Sequence, residues 1–296
     1  MGSAAAWRTT VRVSSVAVRV GVSVSLAVAS MVAVPAAAAA SAADPAASAR
    51  KVATPARDTP APARHAGRFW VETSNSATAP SLADVSCWST DDCVAVGKDR
   101  HGGASILATR TGGATWASRV PPSGVTALNS LSCVSAGDCV AVGEDAAGRA
   151  TIIVSKNGGA GWEAKRLPGA AGFLSDVSCV SAGDCVAVGH TRPSASGLTT
   201  GVIVATTNGG STWAVKAVRA GLESLGAVSC VSASRCIVAG TAVSKKPAIL
   251  ATASGGTTWT AASMPPEMRS IGSISCMSAD NCVAVGKTAA KQGAPL

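Results

Sequence analysis

The sequence predicts an all-β protein, a β-propeller of about five four-stranded blades. Three observations predict it. All ten cysteines of the 296-residue chain fall in five Cys-x5-Cys pairs, whose first members stand 46, 46, 51 and 46 residues apart. A tryptophan (Trp70, Trp116, Trp162, Trp213, Trp259) stands 17 residues before the first cysteine of each pair. The last four tryptophans each follow a Gly-Gly pair: Gly112-Gly113, Gly158-Gly159, Gly209-Gly210 and Gly255-Gly256. Self-similarity at a fixed period marks a repeat architecture, and a unit of this length holding four short strands has the size of a propeller blade.

Each unit reads in the same order. The first strand is the Val85-Ser86-Cys87 type of segment, and a tight turn leads to the second, Cys93 to Gly97. A variable loop leads to the third, such as Ile106 to Thr109 or Ile152 to Ser155. The Gly-Gly turn leads to a fourth strand that is expected to carry the Trp. Short β-branched runs bounded by Gly, Asn, Asp and Pro are strand signals, and no helical period competes with them. The extra residues of the 51-residue unit fall between Cys185 and Trp213, where a loop accepts an insertion. In the fifth unit only Gly293 to Leu296 stands where the fourth has its third strand, so the last blade is expected to be incomplete.

The cysteines read as structural disulfides: Cys87 with Cys93, Cys133 with Cys139, Cys179 with Cys185, Cys230 with Cys236 and Cys276 with Cys282. Six residues apart across a hairpin, two cysteines face one another at bonding distance. Closing a loop of about seven residues constrains the unfolded chain by about 2.4 kcal/mol in the chain-entropy model. Zinc favours closer cysteine spacing, often with His, and the three His residues (His65, His101, His190) sit at unrelated positions of the period. Neither a metal nor a cofactor is expected.

The N-terminal region reads as an export signal. Arg8, Arg12 and Arg19 precede an apolar run from Val20 to Val34, and Ala40-Ser41-Ala42 fits a small-residue cleavage site. The run is short for a membrane span, although an uncleaved anchor is the alternative. The expected organisation is a signal over 1–42, an Ala/Pro-rich disordered linker over 43–66, and repeats over 67–296. A secreted, extracellular protein follows, with no integral membrane span after cleavage. The formal charge of +9 arises in good part before residue 67, where seven basic residues meet only Asp44 and Asp58. The repeats themselves are only mildly basic, which argues against nucleic acid as the partner.

The segments Thr206 to Trp213 and Thr252 to Trp259, with Thr109 to Trp116 and Ser155 to Trp162 close behind, resemble Asp-box (BNR) repeats of the form Ser/Thr-x-Asp-x-Gly-x-Thr-Trp. Such repeats occur in sialidase-like propellers and in propellers similar to the photosystem II assembly factor. The resemblance implies the fold. It leaves open a binding module, a degenerate sialidase-like glycoside hydrolase, and an assembly-factor-like scaffold for another exported protein. The Asp position holds Thr111, Asn157, Asn208 and Ser254. Those side chains still accept hydrogen bonds from turn N–H groups, but they supply no carboxylate. A sialidase needs a Tyr nucleophile, and the chain has no Tyr. No catalytic residue is assigned, and the balance leans away from an enzyme.

In a four-strand blade, alternate connections lie on opposite faces. The Cys-to-Cys and Gly-Gly turns share a short, uniform face. The loops between second and third strands lie on a longer, variable face, where binding tends to sit. Basic residues collect there. Arg100, Arg149, Arg192, Lys245 and Lys246 are the candidate ligand face, for an anionic glycan, a cell-wall polymer or a protein surface.

Overall fold

A computed structural model describes residues 11–13, 80–167, 169, 171–216 and 221–288. The predicted signal apart from residues 11–13, the linker over 43–66, Trp70 and the last eight residues lie outside them. The described residues hold nineteen strands and no helix. The first blade is β2 (Ser81–Cys87), β3 (Cys93–Lys98), β4 (Ala104–Thr109) and β5 (Ala117–Arg119). The second is β6 (Val125–Cys133), β7 (Cys139–Asp145), β8 (Ala150–Ser155) and β9 (Glu163–Lys165). The third is β10 (Ala171–Cys179), β11 (Cys185–Thr191), β12 (Gly201–Thr206) and β13 (Ala214–Lys216). The fourth is β14 (Leu222–Ser232), β15 (Arg235–Ala242), β16 (Pro247–Thr252) and β17 (Thr260–Ala261). Each is an antiparallel sheet in chain order. The fifth is short, with β18 (Met268–Ser278) antiparallel to β19 (Asn281–Thr288) and β1 (Val11–Val13) parallel to β19. β1 falls within the segment that the sequence reads as the signal's basic region.

Within every blade the two cysteines stand directly opposite each other and are bonded, with Cα atoms 4.0 to 4.1 Å apart. So close a pair is of the non-hydrogen-bonded antiparallel kind. The N–H of the first cysteine therefore points away from its own hairpin. It donates instead to the serine before the first cysteine of the preceding blade. Cys133 donates to Ser86 Oγ, Cys179 to Ser132, Cys230 to Ser178 and Cys276 to Ser229, each at 3.0 Å. The same dipeptide thus closes one blade and fastens the next.

Apolar packing joins the blades more extensively. Val94, Val96 and Ile106 on the front of the first blade pack against Leu128, Leu131, Ala141 and Ile153 on the back of the second. Val140, Val142 and Ile152 meet Leu174, Val177 and Ala187 in the same way. The third and fourth blades join through Val188, Ile203, Leu225 and Val228, and the fourth and fifth through Ile237, Ile249, Ile274 and Ala284. Each Val, Ile or Leu fully withdrawn from water contributes about 1.5–3 kcal/mol, so these seams are the core.

The Gly-Gly turn docks into the same seam. Ser155 Oγ accepts the N–H of Gly159 at 2.9 Å, and Asn157 Oδ1 accepts that of Gly161 at 2.8 Å. Thr109 with Thr111, Thr206 with Asn208 and Thr252 with Ser254 repeat the pattern. Gly159 has φ 74°, and a Cβ there would lie 2.7 Å from Val94 Cγ2 of the preceding blade. Left-handed backbone and close approach both demand glycine. The Trp is not in the fourth strand as the sequence suggested. Trp116, Trp162, Trp213 and Trp259 each immediately precede it. The indole N–H of Trp162 and of Trp259 folds back to the carbonyl of Gly159 and Gly256, at 3.1 Å, which holds these side chains in the turn.

Candidate functional site

The Cys-to-Cys and Gly-Gly turns do share one face. Gly112 N–H donates to Asp91 O at 2.9 Å, Gly158 to Gly137 O at 3.2 Å, Gly209 to Gly183 O at 2.9 Å and Gly255 to Ser234 O at 3.0 Å. The turns are further tied by their own side chains. Ser89, Ser135 and Ser181 donate to Asp92, Asp138 and Asp184 three residues on, at 2.7 to 2.8 Å. Lys156 Nζ also reaches Asp138 at 2.9 Å, and holds that carboxyl below its usual pKa. Here Asp92, Asp138 and Asp184 of the uniform face are engaged in turn geometry.

The opposite connections carry the five basic candidates. Arg100 lies between β3 and β4, Arg149 between β7 and β8, Arg192 between β11 and β12, and Lys245 and Lys246 between β15 and β16. All five are exposed. Lys245 is tied by Nζ to both carboxylate oxygens of Glu223, at 2.6 and 2.7 Å. Arg100 Nε donates to His101 Nε2 at 3.1 Å. Arg149 meets Asp145 Oδ2 through Nε and a terminal nitrogen, both at 2.7 Å. Hydrogen bonds from Arg149 lower the Asp145 pKa, so that aspartate stays charged and offsets the charge of the arginine. Arg192 has no ion-pair partner among the described residues.

Arg149 and Arg192 come together at one cleft, of about 620 Å³, between the second and third blades. Its lining includes Gly148, Phe173, His190 and Pro193. Phe173 and His190 stack with ring centroids 5.3 Å apart and planes 16° from parallel. His190 Nδ1 lies 2.9 Å from its neighbour's carbonyl, Thr191 O. A carbonyl only accepts, so Nδ1 carries hydrogen. The cleft thus combines a flat aromatic wall with one guanidinium paired to Asp145 and one, that of Arg192, without an ion-pair partner among the described residues. Arg100, Lys245 and Lys246 sit on the loops of other blades and do not line it.

The aromatic wall escaped the sequence reading, which found His190 at an unrelated position. Its signal was the register. Cys179 faces Cys185, and counting back along the hairpin brings Phe173 opposite His190 once a bulge between Leu174 and Asp176 is allowed. Gly189 marks that bulge, because a Cβ on it would lie 1.9 Å from Phe173 O. Glycine inside a strand often signals such a close backbone approach.

A second polar centre lies along the first strands of the blades, three residues before the first cysteine. Ser130 Oγ stands 3.0 Å from Asp84 Oδ2 and 2.7 Å from Asp176 Oδ1, and accepts the N–H of Val177 at 3.3 Å. Asp84 also accepts from Leu131 N–H at 2.8 Å, and Asp176 from Val228 N–H at 2.7 Å. These bonds run from blade to blade beside the Ser–Cys bonds. Burial raises both carboxyl pKa values, and the Asp84 charge raises Asp176 further. One hydroxyl hydrogen serves one carboxylate, so the trio is satisfied when one of the two acids keeps its proton. Among the described residues no group of three or more His, Cys, Asp or Glu is placed to hold a metal ion.

No family model matches the chain, and no curated protein matches it either. Among solved structures it is similar to YCF48 from Cyanidioschyzon merolae, at 21% identity and TM-score 0.48, over 67% of this chain and 61% of that one. It is similar to the GH74 xyloglucanase from Xanthomonas campestris, at 13% identity and TM-score 0.47, over 66% of this chain and 33% of that one. The fucose-specific lectin from Aleuria aurantia gives 11% identity and TM-score 0.45, over 66% of this chain and 67% of that one. The chain therefore spans less than two thirds of the YCF48 and xyloglucanase chains. The activities belong to the proteins so named.

Proposed function

We propose that the chain is an exported, disulfide-stabilised binding module whose variable face takes an anionic glycan or cell-wall polymer. The observation that carries this reading is the meeting of Arg149 and Arg192 at a cleft walled by Phe173 and His190. A guanidinium offers planar, paired N–H donors that match a carboxylate, sulfate or phosphate. An aromatic face beside it gives a sugar ring something to lie against. Five disulfides fit an oxidising compartment outside the cytoplasm. Among the described residues no helix is long and apolar enough to cross a membrane.

The test is retention of the mature protein on an immobilised carboxylated polysaccharide and on its neutral, carboxyl-reduced form, at rising salt. The wild type is expected to be held by the acidic polymer only, and released as salt screens the contact. Arg192→Glu is expected to elute early with its disulfides intact. Equal retention of wild type and variant, or retention insensitive to salt, would overturn the reading.

A further inference from the structure

Both outer faces of the blade succession keep apolar residues whose counterparts the internal seams bury wholly or in part. Leu128 and Leu131, on the back of the second blade, are 1% and 4% exposed, while Leu82 and Val85 at the same places of the first blade are 48% and 47% exposed. Val94 and Val96, on the front of the first blade, are fully buried, while their counterparts Val283 and Val285 of the fifth are each 45% exposed. Met277 beside them is 87% exposed. Its counterpart Trp88 packs into the seam with the second blade and lies close to Gly158 of that blade's turn.

We propose that these two faces are the halves of one more seam, in which the back of the first blade of one molecule seats on the front of the fifth blade of a second copy. The complementarity comes from the chain itself, which joins a front of this kind to a back of this kind four times. Polar groups fall into place with it. Ser275 and the Cys87 N–H are the acceptor and donor left over from the Ser–Cys series, and neither makes such a bond among the described residues. Opposed at the new seam they supply a fifth bond of the same type. Because the two surfaces differ, the contact is heterologous and runs head to tail.

Sedimentation velocity of the mature chain over a range of concentrations tests this. The wild type is expected to form species heavier than one chain as concentration rises. Leu82→Asp spoils only the back face and Val285→Asp only the front, so each alone is expected to run as a monomer. Mixed, they are expected to give a species of two chains and no larger, since the Leu82→Asp copy offers a sound front and the Val285→Asp copy a sound back. A two-fold symmetric contact would not be rescued in that way. Leu82→Ser and Val285→Ser serve as the milder pair if either aspartate variant fails to fold, because both sites are already half in water. A monomeric wild type at all concentrations, which includes closure of the two faces within one chain, would overturn the proposal, as would a mixture that stays monomeric.

Discussion

Ser86 Oγ accepts a hydrogen bond from the backbone N–H of Cys133, 47 residues further along the chain, at 3.0 Å. The disulfide of Cys133 sets up this bond, because its close pairing with Cys139 turns the cysteine N–H out of the hairpin. Covalent closure within a blade and polar attachment between blades are therefore one device, repeated at Ser132, Ser178 and Ser229.

Removing one such serine should loosen one seam. Ser132→Ala leaves the Cys179 N–H without its acceptor in a half-buried position. The expected loss is about 1–3 kcal/mol, read as a lower urea midpoint with all five disulfides intact.

The second staple is missing at one seam, and restoring it should stabilise the fold. Asp84, Ser130 and Asp176 each accept an N–H from the next blade, but the fourth blade has Ala227 at that position. Ala227→Ser places an oxygen where the Ile274 N–H, turned outward like that of Val228, can donate to it. A gain of about 0.5–1.5 kcal/mol is expected, seen as a higher Tm.

The acid pair predicts an unusual pH response. Asp84 and Asp176 have folded pKa values raised by burial above the ordinary 3.8. Their contribution to stability is complete below the unfolded pKa and is lost as pH rises through the folded one. Lowering pH through the raised values of Asp84 and Asp176, above the lowered ones at which Asp138 and Asp145 take up protons, should therefore raise the urea midpoint. Asp176→Asn replaces the acid with a neutral donor to Ser130 and should flatten that rise.

The Gly-Gly turn separates backbone strain from contact. Gly159→Ala meets φ 74° and the Val94 methyl together, whereas Gly148→Ala, at φ 64°, has nothing within 4 Å of its new Cβ. The first should cost clearly more, by about 1–3 kcal/mol of overpacking, in paired thermal melts.

How much of this was legible in the sequence follows from what each residue reports. The cysteine spacing marks hairpins because a disulfide over six residues fits opposed strands, and the Gly-Gly pairs mark turns because left-handed backbone excludes side chains. The two faces follow from strand order alone. The cleft does not, since Phe173 meets His190 only through a bulge, which breaks the alternation so that the buried Leu174 and Val177 stand three residues apart. The acid pair was equally hidden. Asp84, Ser130 and Asp176 lie 46 residues apart in turn, and only the docking of first strands side by side brings them to one hydrogen bond. A Trp scores as a strand residue, yet each described repeat Trp stands one residue before its strand, and in Trp162 and Trp259 the indole N–H bonds the turn carbonyl.

Each repeat is a blade closed by its own disulfide and docked on the next. Peptide mapping of the mature protein under non-reducing conditions tests this most directly. Five links are expected, each between cysteines six residues apart, and no free thiol. A link between different repeats, or unpaired cysteines in the exported protein, would contradict it.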